Sequence, residues 1–363
     1  MSFDPQTDDL SFDELDELIS PRAEETHFDQ VVETALSRRG FLGGVMTFGL
    51  GSFLVGTTAL TRDALANGET DRFGFAQVAA NTDDSITVPE GFEWDQVVTW
   101  GDPLFSDAPA FDEATRGTAA SQARAFGDNN DGMSIFTKDG RTVMAINNEY
   151  TNRKILWGNN PDGKWVTEDD VQKGMNAHGI SVFEVARDTN GSWQVVLDSD
   201  LNRRITPQTD MDLSGPAAGH DLLKTDADPT GTTTKGTWNN CGNGETPWGT
   251  YLTCEENFNG YFGATGDQPQ GEGYTRYGIG GQSRYAYEKF DARYDISQEP
   301  NEPHRHGFVT EIDPADPTSV PVKRTALGRF KHENAEMVHA KDGRVVVYLG
   351  DDERGEYLYR YVS

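Results

Sequence analysis

NNCGNGETPWGTYLTCEENFNGYFG, residues 239–263, holds both cysteines of a 363-residue chain, Cys241 and Cys254. Gly, Thr and Pro cluster over residues 242–247 and predict a turn. The next residues, 248–253, carry a short strand pattern that ends in adjacent carboxylates, Glu255 and Glu256, followed by Asn257 and Asn259. One turn-strand-turn thus packs a thiol, hard oxygen donors and glycines that permit close approach. Thiolate suits soft or borderline metals, and carboxylate and amide oxygens suit calcium. The alternative is a surface hairpin closed by a disulfide.

Outward from this stretch, short apolar runs recur, separated by Gly, Pro, Asn and Asp. They cover residues 134–137, 142–146, 180–185, 193–197, 307–312, 322–326 and 345–349. Turn signals such as Lys138-Asp139-Gly140 and Lys341-Asp342-Gly343 sit between them, so the chain reads as all-β, with helical turns at residues 112–126 and 167–174. A loose repeat is present. Three strand patterns end in polar and acidic residues, at Asn147-Asn148-Glu149, Cys254-Glu255-Glu256 and Gly350-Asp351-Asp352. Two more open with His-Gly, at His178-Gly179 and His306-Gly307. Radial repetition of small antiparallel sheets predicts a β-propeller over residues 85–363, with a β-sandwich as the alternative. Acids at equivalent strand ends would then form a ring that needs cations to stay ionised.

The chain carries 60 acids against 31 bases, a balance that argues against nucleic-acid binding. Residues 1–36 are a polar leader with eleven acids and one arginine, expected to be disordered. Arg38-Arg39 then precede an apolar, glycine-rich run at 43–60, and Ala64-Leu65-Ala66 fits a small-x-small cleavage site before Asn67. Residues 37–66 therefore read as a twin-arginine signal helix rather than a spanning segment, with residues 67–84 as a linker. This predicts a twin-arginine translocase as partner, a periplasmic or extracellular product and no membrane anchor after cleavage. Such substrates fold before export in a reducing compartment, which favours Cys241 as a ligand over a disulfide.

The string NNC-x-x-G-x-TPWGT-x-LTCEEN resembles the signature of the PhoX-type alkaline phosphatases, metal-dependent enzymes exported by bacteria through the twin-arginine route. The resemblance extends, with gaps, from about Arg124 to the last residue. Asn147-Asn148-Glu149-Tyr150-Thr151 resembles the family's N-H-E-Y-T segment, with Asn148 in place of the histidine. Asn202-Arg203-Arg204-Ile205, the residues around Gly219-His220, residues 330–336 and Gly350-Asp351-Asp352 followed by Glu356-Tyr357 also match. The resemblance implies a propeller whose channel holds iron (Fe3+) and calcium (Ca2+), acting as a monomer on phosphomonoesters. Carried over, Cys241 is an iron ligand and Glu333 a second, with Glu336 as fallback. Glu149, Glu255, Glu256, Asp351 and Asp352 are oxygen ligands, mainly for calcium.

Residues 127–132, GDNNDG, offer Asp131 as a further ligand but lack the twelve-residue EF-hand pattern. The planar forks of Arg203 and Arg204 suit phosphate, so they are the candidates for orienting substrate. No second histidine follows His332 at zincin spacing, and no nucleophile elbow or Walker loop occurs. The expected reaction is phosphomonoester hydrolysis by a metal-bound oxygen nucleophile. Alternatives are a calcium-stabilised propeller that only binds, and a phosphodiesterase or phytase-like activity. Family members continue beyond residue 363, which makes a truncated chain with an open ring the expectation.

Overall fold

The structure, a computed structural model, describes residues 75–363. The acidic leader and the twin-arginine segment lie outside the described residues, as do residues 67–74 of the expected linker. Among the described residues the chain divides into two units, residues 75–95 and Gln96–Ser363. In the first, residues 75–95 form no strand or helix, and Phe75 meets Phe92 edge to face with ring centroids 5.3 Å apart.

The larger unit is mostly β, with three sheets among the described residues. The first sheet runs β1 (Asn130–Lys138), β2 (Arg141–Asn148), β3 (Gly179–Arg187), β4 (Trp193–Val195), and β5 (Arg203–Ile205) also pairs with β3. β1 and β2 are joined through Asp139 and Gly140, whose positive φ of 51° and 79° suits a tight hairpin in register with right-handed strand twist. The second sheet contains β6 (Asp210–Ser214), β7 (Thr233–Lys235), β8 (Asn240–Glu245), β9 (Tyr251–Glu255), β10 (Val309–Ile312) and β11 (Val322–Arg324). Its order is β7-β6-β11-β10-β9-β8, with only the β6–β11 pair parallel. The third sheet is a meander of β12 (His332–His339), β13 (Val345–Asp351) and β14 (Leu358–Val362).

Apolar side chains join the sheets in series. Val143, Ala145, Ile180 and Val182 of the first sheet pack with Met211, Tyr251 and Ile312 of the second. Leu252, Cys254 and Val309 of the second pack with Ala335, Val347 and Leu349 of the third. Each Val, Leu, Ile or Met among them, fully buried, contributes about 1.5–3 kcal/mol. β3 and β9 are buried on both faces along most of their length, so neighbouring side chains on them serve different sheets.

Two segments differ from the sequence reading. The turn expected over residues 242–247 is largely strand, because β8 runs through Glu245 and the reversal falls at Thr246–Gly249, closed by the Gly249 amide on the Thr246 carbonyl at 3.0 Å. Its glycines serve close packing instead: a Cβ on Gly244 would lie 1.8 Å from the Ala335 carbonyl oxygen, and one on Gly242 would lie 2.3 Å from that of Glu333. Residues 332–339 form β12, a strand the polar sequence HENAEMVH conceals. The helix Glu168–Ala177 opens with a capping box between Thr167 and Asp170, and a shorter helix occupies Ala119–Gln122.

Candidate metal centre

Three hairpins, β1–β2, β8–β9 and β12–β13, end in the same way. Their last register pairs are Asn130↔Asn148, Asn240↔Glu255 and His332↔Asp351. In each, the first strand then breaks register before pairing resumes at Met133, Asn243 and Ala335. A bulge of this kind re-aims a side chain that would otherwise point along the pleat. The bulges carry Asp131, Cys241 and Glu333. The residues just past the facing strands are Glu149, Glu256 and Asp352.

Glycines let the three bulges touch. A Cβ on Gly132 would lie 2.8 Å from the backbone of Gly242, whose own Cβ would meet the Glu333 carbonyl. Asn147, fully buried at the end of β2, locks the arrangement. Its amide donates to the carbonyl oxygens of Cys241 and Gly242, and its own oxygen accepts from Thr253 at 2.7 Å. The Asn243 amide donates to Ser134 Oγ at 2.8 Å, tying β8 to β1.

The donors converge. Asp131, Glu149 and Cys241 offer one ligand atom each, all within 4.8 Å of one another, and Cys241, Glu256 and Glu333 do the same. Cys241 Sγ lies 3.2 Å from Asp131 Oδ2 and 3.5 Å from Glu333 Oε1. Burial, then the carboxylates of Glu149, Glu256, Glu333 and Asp131, push the Cys241 thiol far up. Burial, then Glu149, Glu333 and Asp352, push the Glu256 carboxyl well above the usual range, with Lys331 opposing. Carboxylates and a thiol that each raise the other's proton affinity form a pocket for multivalent cations, with hard oxygens beside one soft sulfur. The donor set therefore fits metal ions in general. Cys241 and Glu256 are buried, whereas Glu333 and Asp352 are exposed, so the centre opens on the side of the third sheet.

The other sequence candidates lie elsewhere. Glu255, Asp351 and the equivalent Asn148 sit one residue earlier, and each meets a cation instead. Lys323 Nζ lies 2.7 Å from Glu255 Oε1, Arg204 Nη1 donates to Asn148 Oδ1 at 2.6 Å, and Arg276 Nη2 is 3.8 Å from Asp351 Oδ2. Burial raises Glu255, but Lys323 and His306 outweigh it and hold this carboxyl well below its usual value. The amides of Gly307 and Phe308 also donate to it, at 2.9 and 3.0 Å. Arg203 Nη1 donates to the carbonyls of Pro317 and Ser319, and Arg204 Nη2 donates to those of Asn176 and His178. Neither arginine is drawn into the donor group. Glu336 is exposed three residues beyond Glu333, so Glu333 is the one beside the thiol. Both cysteines are free, with Cys254 in the core between the second and third sheets.

Sequence reading missed Lys323 and Arg276 as anchors, and Asn147 as the lock. Residues one apart at a strand end face opposite ways, but which of the two faces the centre is decided by the pairing register.

The family model described as Alkaline phosphatase PhoX matches residues 73–363. A solved structure of Pseudomonas fluorescens PhoX in complex with vanadate, a transition state analogue, is 52% identical with a TM-score of 0.76. The match covers 80% of this chain and 50% of that one, so this chain spans about half the length of that relative. No curated protein matched. The chain belongs to the PhoX alkaline phosphatase family.

Proposed function

We propose that the three-hairpin centre is the metal site of a phosphomonoesterase that releases inorganic phosphate from organic phosphomonoesters. The observation that carries this reading is the convergence of Asp131, Glu149, Cys241, Glu256 and Glu333 from three sheets. Support comes from the family and from a relative whose structure holds a transition-state analogue. Cys241 and Glu333 would hold iron; Asp131, Glu149, Glu256 and Asp352 would hold mainly calcium. When bound, these ions neutralise charge on the transferring phosphoryl group and act as Lewis acids.

The chain's own part is positioning. Ligands fixed on bulges and strand ends, and braced by Asn147 and Lys323, need little reorganisation during reaction. The exposed side at Glu333 and Asp352 admits substrate. In this reading the three sheets are blades of a β-propeller around the centre, within a domain spanning residues 85–363. Residues 37–66 direct export through the twin-arginine translocase to the periplasm or beyond, and the protein acts as a monomer.

Metal analysis of the purified protein, beside hydrolysis of p-nitrophenyl phosphate, tests the reading. Iron and calcium should both be present, and Cys241→Ala should lose the iron and about a hundredfold or more of the activity. Full activity in that variant excludes the role given to Cys241. Calcium without iron, and no turnover, would instead point to a binding protein.

A further inference from the structure

We infer that Tyr251 is a positioning residue of the metal centre: with Asn147, it fixes how far apart the bulges carrying Asp131 and Cys241 stand. This rests on the metal-site reading above and deepens it. Tyr251 opens β9 and has no exposed surface. Its ring belongs to the core shared by the first and second sheets, where it meets Phe136 of β1 edge to face with centroids 6.3 Å apart. Its hydroxyl reaches past that core. The one proton it carries is shared between the Gly132 carbonyl at 2.7 Å and Asn147 Oδ1 at 2.9 Å.

The backbone of a bulge creates the need for such a group. A bulge takes its extra residue out of the ladder, and buried carbonyls there must find other donors. β1 breaks register between Asn130 and Met133, and β8 between Asn240 and Asn243. In the first bulge the Gly132 carbonyl takes the Tyr251 hydroxyl, and in the second the carbonyls of Cys241 and Gly242 take the Asn147 amide. Two side chains thus hold both bulges, and the hydrogen bond between them joins the two holds. Thr253 Oγ1 donates to Asn147 Oδ1 at 2.7 Å and accepts from Asn240 Nδ2 at 3.0 Å, so the Asn147 amide cannot turn over without losing bonds at both ends.

Little slack remains between the bulges. A Cβ on Gly132 would lie 2.9 Å from Asn147 Nδ2 as well as 2.8 Å from the Gly242 backbone. The bulges therefore touch through Gly132 and Gly242 and are tied through Tyr251 and Asn147. At the centre this leaves Cys241 Sγ 3.2 Å from Asp131 Oδ2. Burial first, then Cys254 and Asp131, push the Tyr251 phenol well above its ordinary value, so it keeps the proton it donates. Without this hydroxyl the Gly132 carbonyl loses its donor from β9, and the peptide that follows Asp131 is freed to turn. Residues that orient metal ligands from behind typically carry about 10–100-fold of the metal affinity.

The test titrates the purified full chain, stripped of metal by a chelator, with cobalt(II) and follows the thiolate-to-metal absorption band. The band should vanish in Cys241→Ala, and a band of full strength there overturns the proposal. Tyr251→Phe keeps the ring and removes only the hydroxyl, and it should weaken the apparent Kd for cobalt about tenfold. Tyr274→Phe is the control. It removes a phenol-to-carbonyl bond of 2.6 Å to Pro300, outside the three bulges, and should stay within about twofold of the wild type. Thr253→Val removes the other donor to Asn147 Oδ1 and should weaken cobalt binding about threefold or more. Tyr251→Phe within about twofold of the wild type overturns the proposal, as does an equal loss in Tyr274→Phe. Should Tyr251→Phe not fold, Thr253→Val decides by the same limits. If p-nitrophenyl phosphate is not turned over, the phosphomonoesterase reading fails, and the cobalt titration still decides the role of Tyr251.

Discussion

Lys323 has no exposed surface, and its ammonium contacts Glu255 at 2.7 Å and donates to the Arg305 carbonyl at 3.0 Å. Burial pulls this ammonium down to about 8 although Glu255 opposes the shift. Lys323→Met should strand a buried carboxylate and cost about 3–5 kcal/mol in urea unfolding. A loss below about 1 kcal/mol would show the pair to be dispensable. Next to it, Glu256 faces the metal centre, and nothing in the string CEEN tells the two glutamates apart. Register does, and it is set by pairing with β8 and with β10, whose Val309 stands opposite Cys254 from well down the chain. His178 offers a second test. Burial among Trp238, Tyr261 and Tyr285, then the Gly174 carbonyl acting against it, leaves its imidazole pulled down to about 3. The unfolded chain takes up this proton near pH 6.5 and the folded one does not, so stability is full above 6.5 and lost as pH falls toward 3. A His178→Asn variant, if folded, should show a flatter acid limb in its unfolding midpoint between those values; an unchanged limb would assign the acid sensitivity to other groups.

At the scale of elements, legibility followed hydrophobic alternation. β2, β3 and β13 were visible because Val, Ile, Met and Leu recur along them. β8 was read as a turn because Gly242 and Gly244 are turn residues in isolation. Their actual use, contact between the backbones of β8 and β12, requires knowing that β12 exists, and its charged sequence hides it. Gly244→Ala should therefore push two strands apart and cost about 3 kcal/mol or more, measured by thermal or urea unfolding. Gly249→Ala, with nothing within 4 Å but a φ of 88°, should cost only about 1 kcal/mol. Equal losses in the two variants would remove the packing explanation. The repeated strand ends were legible from sequence as a repeat. The bulge that turns Asp131, Cys241 and Glu333 toward one point was not, since a register break has no composition of its own.

At the scale of the whole molecule, the proposed metal site ties cation binding to the fold. A ligand bound only by the folded state stabilises it by about 2.7 kcal/mol at a hundredfold excess over Kd. Chelation should thus lower the thermal midpoint by several degrees, at roughly 2–4 °C per kcal/mol. An unchanged midpoint after the metals are shown to be gone would mean that the carboxylates tolerate one another without them. The three touching bulges also dictate a timetable. Their donors are spread along the chain from Asp131 to Asp352, so no early hairpin can assemble the full set. Distant contacts form slowly because the intervening loop must close first. On the proposed reading, ion capture at full affinity is consequently a finishing step, and the arrival of metal would report that the last sheet has docked.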